Sequence, residues 1–174
     1  MASCRNYTTV VLAALVCVVT AFPSGGEEPK FKCDDECKKE MQKIKDIVAE
    51  CAKESGCGEE EFKKCKECGD DVPEKVQFFY ACAAEKVGIL DANRMINMDG
   101  LNTIEQKLDE SCAKAPASDD EDPRKSFCDN KEVIKNAVRG CVEEGQKEQK
   151  EGDKGVAGTM AIRKCMCNYK KKKN

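Results

Sequence analysis

Fourteen of the 174 residues are cysteine, and that density constrains the fold more than any other feature. Cys4 and Cys17 fall in an N-terminal segment with the marks of a secretory leader. Arg5 supplies positive charge, Val10 to Ala21 is almost unbroken apolar sequence, and Val19 and Ala21 suit signal-peptidase cleavage. The run is too short for a bilayer anchor, which takes about 20 residues. Residues 1–21 therefore read as a signal peptide, and cleavage before Phe22 leaves 153 residues carrying twelve cysteines. An even number in an oxidising compartment predicts a disulfide framework of up to six bridges. The Cys65-Lys-Glu-Cys68 spacing also fits a zinc site, but secretion and the absence of histidine argue against one.

The framework has an energetic reason. Aromatic residues make up 5% of the chain, tryptophan is absent and 36% of residues are charged, so a helical core here is thin. Each bridge adds about 2–4 kcal/mol by restricting the unfolded chain. The charges nearly cancel: without Arg5, 29 basic residues face 33 acidic ones, a net of −4. That balance lacks the basic footprint of a nucleic-acid-binding domain. The lysines at 170–173 read as a solvated basic tail (170–174) rather than a membrane-binding patch.

Residues 22–32, with Gly25-Gly26 and Pro29, form a flexible leader to a single helical domain over 33–169. Cys37, Met41, Ile44, Val48 and Cys51 recur at steps of four and three, one stripe of a helix over 33–53. A short helix follows over 59–68, with Phe62, Cys65 and Cys68 on one side. Pro73 opens a third, where its missing N–H costs nothing; Val76, Phe79, Tyr80, Ala83 and Val87 face inward and Gly88 ends it. Ile89-Leu90 leads into a connection over 91–100, and a fourth helix over 101–114 buries Leu101, Ile104, Leu108 and Cys112. After an exposed acidic loop over 115–125, a fifth helix over 128–150 turns Val133, Ile134, Ala137, Val138 and Cys141 inward. It is wholly polar from Glu143 onward, which predicts a frayed end. Gly152, Gly155 and Gly158 mark a hinge before a last helix over 159–167. No stretch alternates with period two, so the fold class is all-α: about six helices, disulfide-stapled, enclosing a small apolar cavity.

Catalytic machinery is absent from the sequence. Without an imidazole base, Ser-His-Asp and Cys-His hydrolysis have no proton acceptor. The carboxylate runs Asp34-Asp35, Glu59-Glu60-Glu61 and Asp119-Asp120-Glu121-Asp122 lie on polar faces or loops, not in a cleft that raises a pKa. Asp91 to Asp99 only loosely resembles a calcium loop and lacks its central glycine and closing glutamate. The chain reads as a non-enzyme with no cofactor and no metal.

The segment from Cys51 to Cys112 contains "ECAKESGCGEEEFKKC" and "CAAEKVGILD". It resembles the insect odorant-binding proteins, the pheromone and general odorant-binding family, over roughly residues 40–141, as an atypical, cysteine-enriched member. The resemblance implies six helices around an apolar pocket and three interlocked bridges, first to third, second to fifth and fourth to sixth. Cys51 and Cys82 match the first and third cysteines, and Cys112 and Cys141 the fourth and sixth. The second and fifth fall on Phe78 and Glu132, with Cys128 as an alternative, displaced fifth. The resemblance thus implies Cys51–Cys82 and Cys112–Cys141, with Cys33, Cys37, Cys57, Cys65, Cys68, Cys128, Cys165 and Cys167 as extras.

On this reading the chain is a secreted carrier of a small hydrophobic molecule (an odorant, pheromone or similar compound), serving olfaction or another fluid. A membrane receptor is the further partner it implies; nucleic acid and membrane insertion are not. Candidate lining residues are Phe62, Val76, Phe79, Tyr80, Val87, Leu90, Met95, Met98, Leu101, Ile104, Leu108, Ile134 and Val138. Tyr80 offers a hydroxyl from an apolar wall, and Met95 and Met98 adapt to varied shapes. The alternative is a secreted, disulfide-rich interaction or effector protein without a cavity.

Overall fold

A computed structural model describes residues 35–58, 60–61, 71–113 and 128–173. Among them are five helices and no strand: α1 (Asp35–Ser55), α2 (Glu74–Lys86), α3 (Met98–Ala113), α4 (Lys131–Glu148) and α5 (Val156–Lys173). The expected leader over 1–32, the acidic loop, and most of the short helix over 59–68, including Phe62, lie outside the described residues.

α2 is the central element. Pro73 caps it, and seven of its residues are buried: Val76 and the unbroken run Phe79 to Ala84. A helix buried on more than one face must pack against neighbours on each. α1 lies along it on one side and α5 along another. Lys86 fastens the α1 contact with ion pairs to Glu50 at 2.6 Å and Glu54 at 3.6 Å. Ile47, Val48 and Ala52 of α1 meet Val76, Phe79, Tyr80 and Ala83 of α2 in one apolar cluster. The small residues Ala81 and Ala84 turn α2's other face to a second, larger cluster built with α3, α4 and α5.

The polar half of α4 does not fray. The helix runs to Glu148, and Gly145 within it is buried. The reason lies across the interface: a Cβ at Gly145 would stand 2.7 Å from the carbonyl oxygen of Gly158 and 2.6 Å from Ile162 Cγ1. Two glycines thus let α4 and α5 approach at backbone distance, and this contact orders a stretch with no apolar stripe of its own. Gly158 is part of α5 rather than of a hinge. The reversal itself is made by residues 149–155, where Gly155 has φ +79° and an added Cβ would meet Leu90 Cδ1 at 2.6 Å and the carbonyl oxygen of Arg94 at 2.8 Å. A side chain there would be both strained and blocked. α5 is also longer than its apolar residues indicate, beginning at Val156 and continuing through the lysine run.

The connection over 88–97 is ordered as a tight ribbon, with Leu90 and Ile96 paired as an isolated bridge. Asp91 Oδ1 accepts hydrogen bonds from the backbone N–H groups of Asn93 and Met95 at 2.8 and 2.9 Å. That carboxylate serves the turn. Gln149 Oε1 accepts from the N–H of Ile96 at 2.9 Å, joining the ribbon to the α4–α5 turn.

Candidate functional site

The disulfides divide between expectation and correction. Cys51–Cys82 joins α1 to α2, the pair the family resemblance implies. Cys112 and Cys141 are each bonded, but not to one another: Cys112 pairs with Cys128 and Cys141 with Cys165. The antiparallel register of α3 on α4 explains this. Asn102 and Glu105 stand opposite Arg139, and Asp109 opposite Lys135 and Lys131, so the next step along the ladder sets Cys112 against Cys128. The mostly helical run from Cys128 to Cys141 spans about 20 Å, whereas a disulfide requires Cα atoms within about 7 Å. Cys167 is also disulfide-bonded.

The candidate lining residues do not form one wall. Leu90, Leu101, Ile104, Leu108 and Val138 are buried together in the larger cluster, with half-buried Val87, Met98 and Ile134 packed against it. Val76, Phe79 and Tyr80 belong instead to the cluster between α1 and α2. The division follows from α2: Val76, Phe79 and Tyr80 join the α1 side, and the small Ala81 and Ala84 face the larger cluster. Met95, half-buried in the ribbon, is in neither cluster. Tyr80 packs edge-on to Phe79, their centroids 5.8 Å apart, and the guanidinium of Arg163 lies over its ring at 5.9 Å. Its setting is therefore a core corner with a buried cation, apart from the cluster that collects most of the lining.

The larger cluster holds a group that hydrophobic periodicity passes over. Glu105 follows Leu101 by four residues and precedes Leu108 by three, so it shares their inward stripe on α3. It is 9% exposed. Arg139 of α4 donates from Nη2 to its Oε2, and also to Asn102 Oδ1 at 2.8 Å. The other carboxylate oxygen, Oε1, is wholly buried and accepts no hydrogen bond from any described residue. The signal in the sequence was a glutamate at a helical position flanked by leucines on its own face.

Outside this pair the α3–α4 seam is more solvated. Asp109 accepts from Lys135 Nζ at 2.8 Å and from Lys131 Nζ at 3.1 Å. The Lys135 hydrogen bond, followed by that of Lys131, holds its carboxyl below the ordinary carboxylate value. A lowered folded-state pKa stabilises the fold above the unfolded value of about 3.9 and ceases to do so as pH falls through that region. Because both partners are partly exposed, the contribution is at most about 1 kcal/mol. Acid titration of stability should therefore show a shallow loss below about pH 4 that Asp109→Asn flattens; an unchanged acid limb in that variant would remove Asp109 from the account.

Among the described residues no group of three or more Cys, Asp or Glu side chains is placed to hold a metal ion. No helix among them is long and apolar enough to cross a membrane. Comparison with known protein families, curated proteins and solved structures finds no match.

Proposed function

We propose that this chain is an extracellular, non-enzymatic carrier that holds one small hydrophobic molecule among α2, α3, α4 and α5. The observation that carries the reading is the gathering of Leu90, Leu101, Ile104, Leu108 and Val138 in one cluster, fringed by half-buried Val87, Met98 and Ile134. Cys141 belongs to this cluster, and its partner Cys165 and Cys112, bonded to Cys128, pack against it. Covalent ties of this kind supply stability that a thin core lacks, so the apolar centre can serve a ligand. Binding would come from burial, about 0.8 kcal/mol for each ligand CH₂ removed from water. Disulfides on this scale belong to an oxidising compartment, which agrees with the leader read in the sequence. An odorant or pheromone is the ligand type suggested by the family resemblance.

The alternative, a secreted effector that binds another protein without a cavity, has less to work with on the surface. Val133, 45% exposed, is the single large apolar side chain left open among the described residues. A protein partner would have to be held by charge.

The test is fluorescence of N-phenyl-1-naphthylamine with the refolded, fully oxidised protein. Saturable one-site binding, reversed by small apolar competitors, is the expected result; no binding by a helical, oxidised sample would reject the carrier. Two variants locate the site. Ile134→Trp, which adds bulk at the margin of the larger cluster, should weaken the probe about tenfold or more, while Phe79→Leu in the other cluster leaves it unchanged. The opposite order would move the site to the α1–α2 interface.

A further inference from the structure

Glu105 places a buried carboxylate on the apolar stripe of α3. The residue is nine-tenths buried on the same stripe as Leu101 and Leu108, both of which are fully buried. Its two oxygens differ: Oε2 is held by Arg139, and Oε1 is enclosed with no donor among the described residues. An enclosed carboxylate oxygen without a donor is unfavourable, and the penalty is relieved when a donor arrives. Arg139 is turned to Oε2 and to Asn102 Oδ1 at 2.8 Å, which commits its Nη2 to those two acceptors.

We propose that Glu105 Oε1 is the polar anchor of the carrier site and that the ligand is a neutral apolar molecule bearing a hydroxyl group, an aliphatic alcohol or its equivalent. The proposal rests on the carrier reading above. Its chemistry follows from charge. Glu105 and Arg139 together are neutral, so an O–H donor completes the hydrogen bonding without adding charge to an apolar interior. An ammonium group would satisfy the same oxygen but leave one buried positive charge uncompensated. An ester, ketone or ether presents only acceptors, and sets oxygen lone pairs against a carboxylate. The anchor thus ranks alcohols above amines, and both above ligands that cannot donate.

Undecanol and methyl decyl ether are isomers with nearly the same apolar surface, and only the first can donate. Competition against N-phenyl-1-naphthylamine on the oxidised full chain should show undecanol binding about tenfold tighter or better, the range expected for a hydrogen bond to a charged group. Undecylamine at neutral pH should fall between them. In Glu105→Gln the amide carbonyl takes the place at Arg139 and the NH₂ group replaces Oε1. A donor then stands where an acceptor stood; the oxygens of the alcohol and the ether both accept from it, so the preference for undecanol should disappear. Equal affinity of the two isomers for the native chain overturns the anchor while leaving the carrier standing, and this comparison needs no variant to fold. Failure of every ligand, probe included, overturns the carrier and the anchor with it.

Discussion

Reducing the oxidised protein with dithiothreitol, under otherwise native conditions, will abolish most of its helical circular dichroism. The three described bridges join residues 31, 16 and 24 positions apart. In the chain-entropy account, loops of these lengths are worth about 3–4 kcal/mol each, or about 10 kcal/mol together. Domains of this size are stable by about 5–15 kcal/mol in total. The apolar content gives no reason to place this one at the upper end, because the smaller cluster holds a single aromatic pair, Phe79 and Tyr80, and the larger cluster holds no aromatic residue. The loss of signal should follow thiol release rather than lag behind it. A reduced chain that kept its helicity and its cooperative melting would show that packing alone suffices, and the argument for a covalently supported ligand space would go with it.

The second large effect is expected from a substitution at one glycine. At Gly145 a new Cβ meets Ile162 Cγ1 at 2.6 Å and the Gly158 carbonyl oxygen at 2.7 Å. Ile162 can turn aside; a backbone carbonyl cannot retreat without moving α5. Gly145→Val should therefore cost about 3 kcal/mol or more, at the upper end of overpacking effects. Gly140, on the same helix, gives the control. Nothing lies within 4 Å of its Cβ position, so Gly140→Ala should stabilise the protein by about 1 kcal/mol through helix propensity alone. Urea unfolding followed by circular dichroism measures both. The sign difference is the point of the pair: if both variants stabilise, α4 and α5 are not in backbone contact.

Periodicity made the helices legible because each buries an apolar stripe, and the stripes at Val48–Cys51, Val76–Ala83 and Leu101–Leu108 are where they were expected, although Ile47, off the expected stripe, packs with the first of them. It failed where order comes from something other than a stripe. The end of α4 is held by a glycine-to-glycine approach that leaves no apolar mark. The cysteine partners were unreadable for a related reason: a cysteine on a stripe reveals its own helix face, whereas its partner depends on how two helices are aligned. The alignment of α3 and α4 did leave a trace, in acids at Glu105 and Asp109 and cations at Lys131, Lys135 and Arg139, each four residues from the next. Those charges read as solvated surface when each helix is considered alone. Glu105 was missed in the same way, because a residue type usually found in water was assigned by type rather than by position. Of the candidate lining residues that are described, eight are buried and Val87, Met95, Met98 and Ile134 are half-buried; a helix buried on two faces splits its neighbours into two sets, and a one-dimensional pattern does not show which residues fall in which set.

The three described bridges have a bearing on how such a chain is made. The resemblance implies interlocked pairs, in which one loop must be closed across another. Here 51–82, 112–128 and 141–165 follow each other along the chain without overlap. Each loop can be sealed once its own segment is available, and none has to thread through a ring already closed. Short loops meet quickly, on timescales far below those of disulfide formation and reshuffling. Where helices fold as the chain emerges during synthesis, the first bridge can be in place before the residues of the last have emerged. For these six cysteines, the order of synthesis already favours the native partners over later ones.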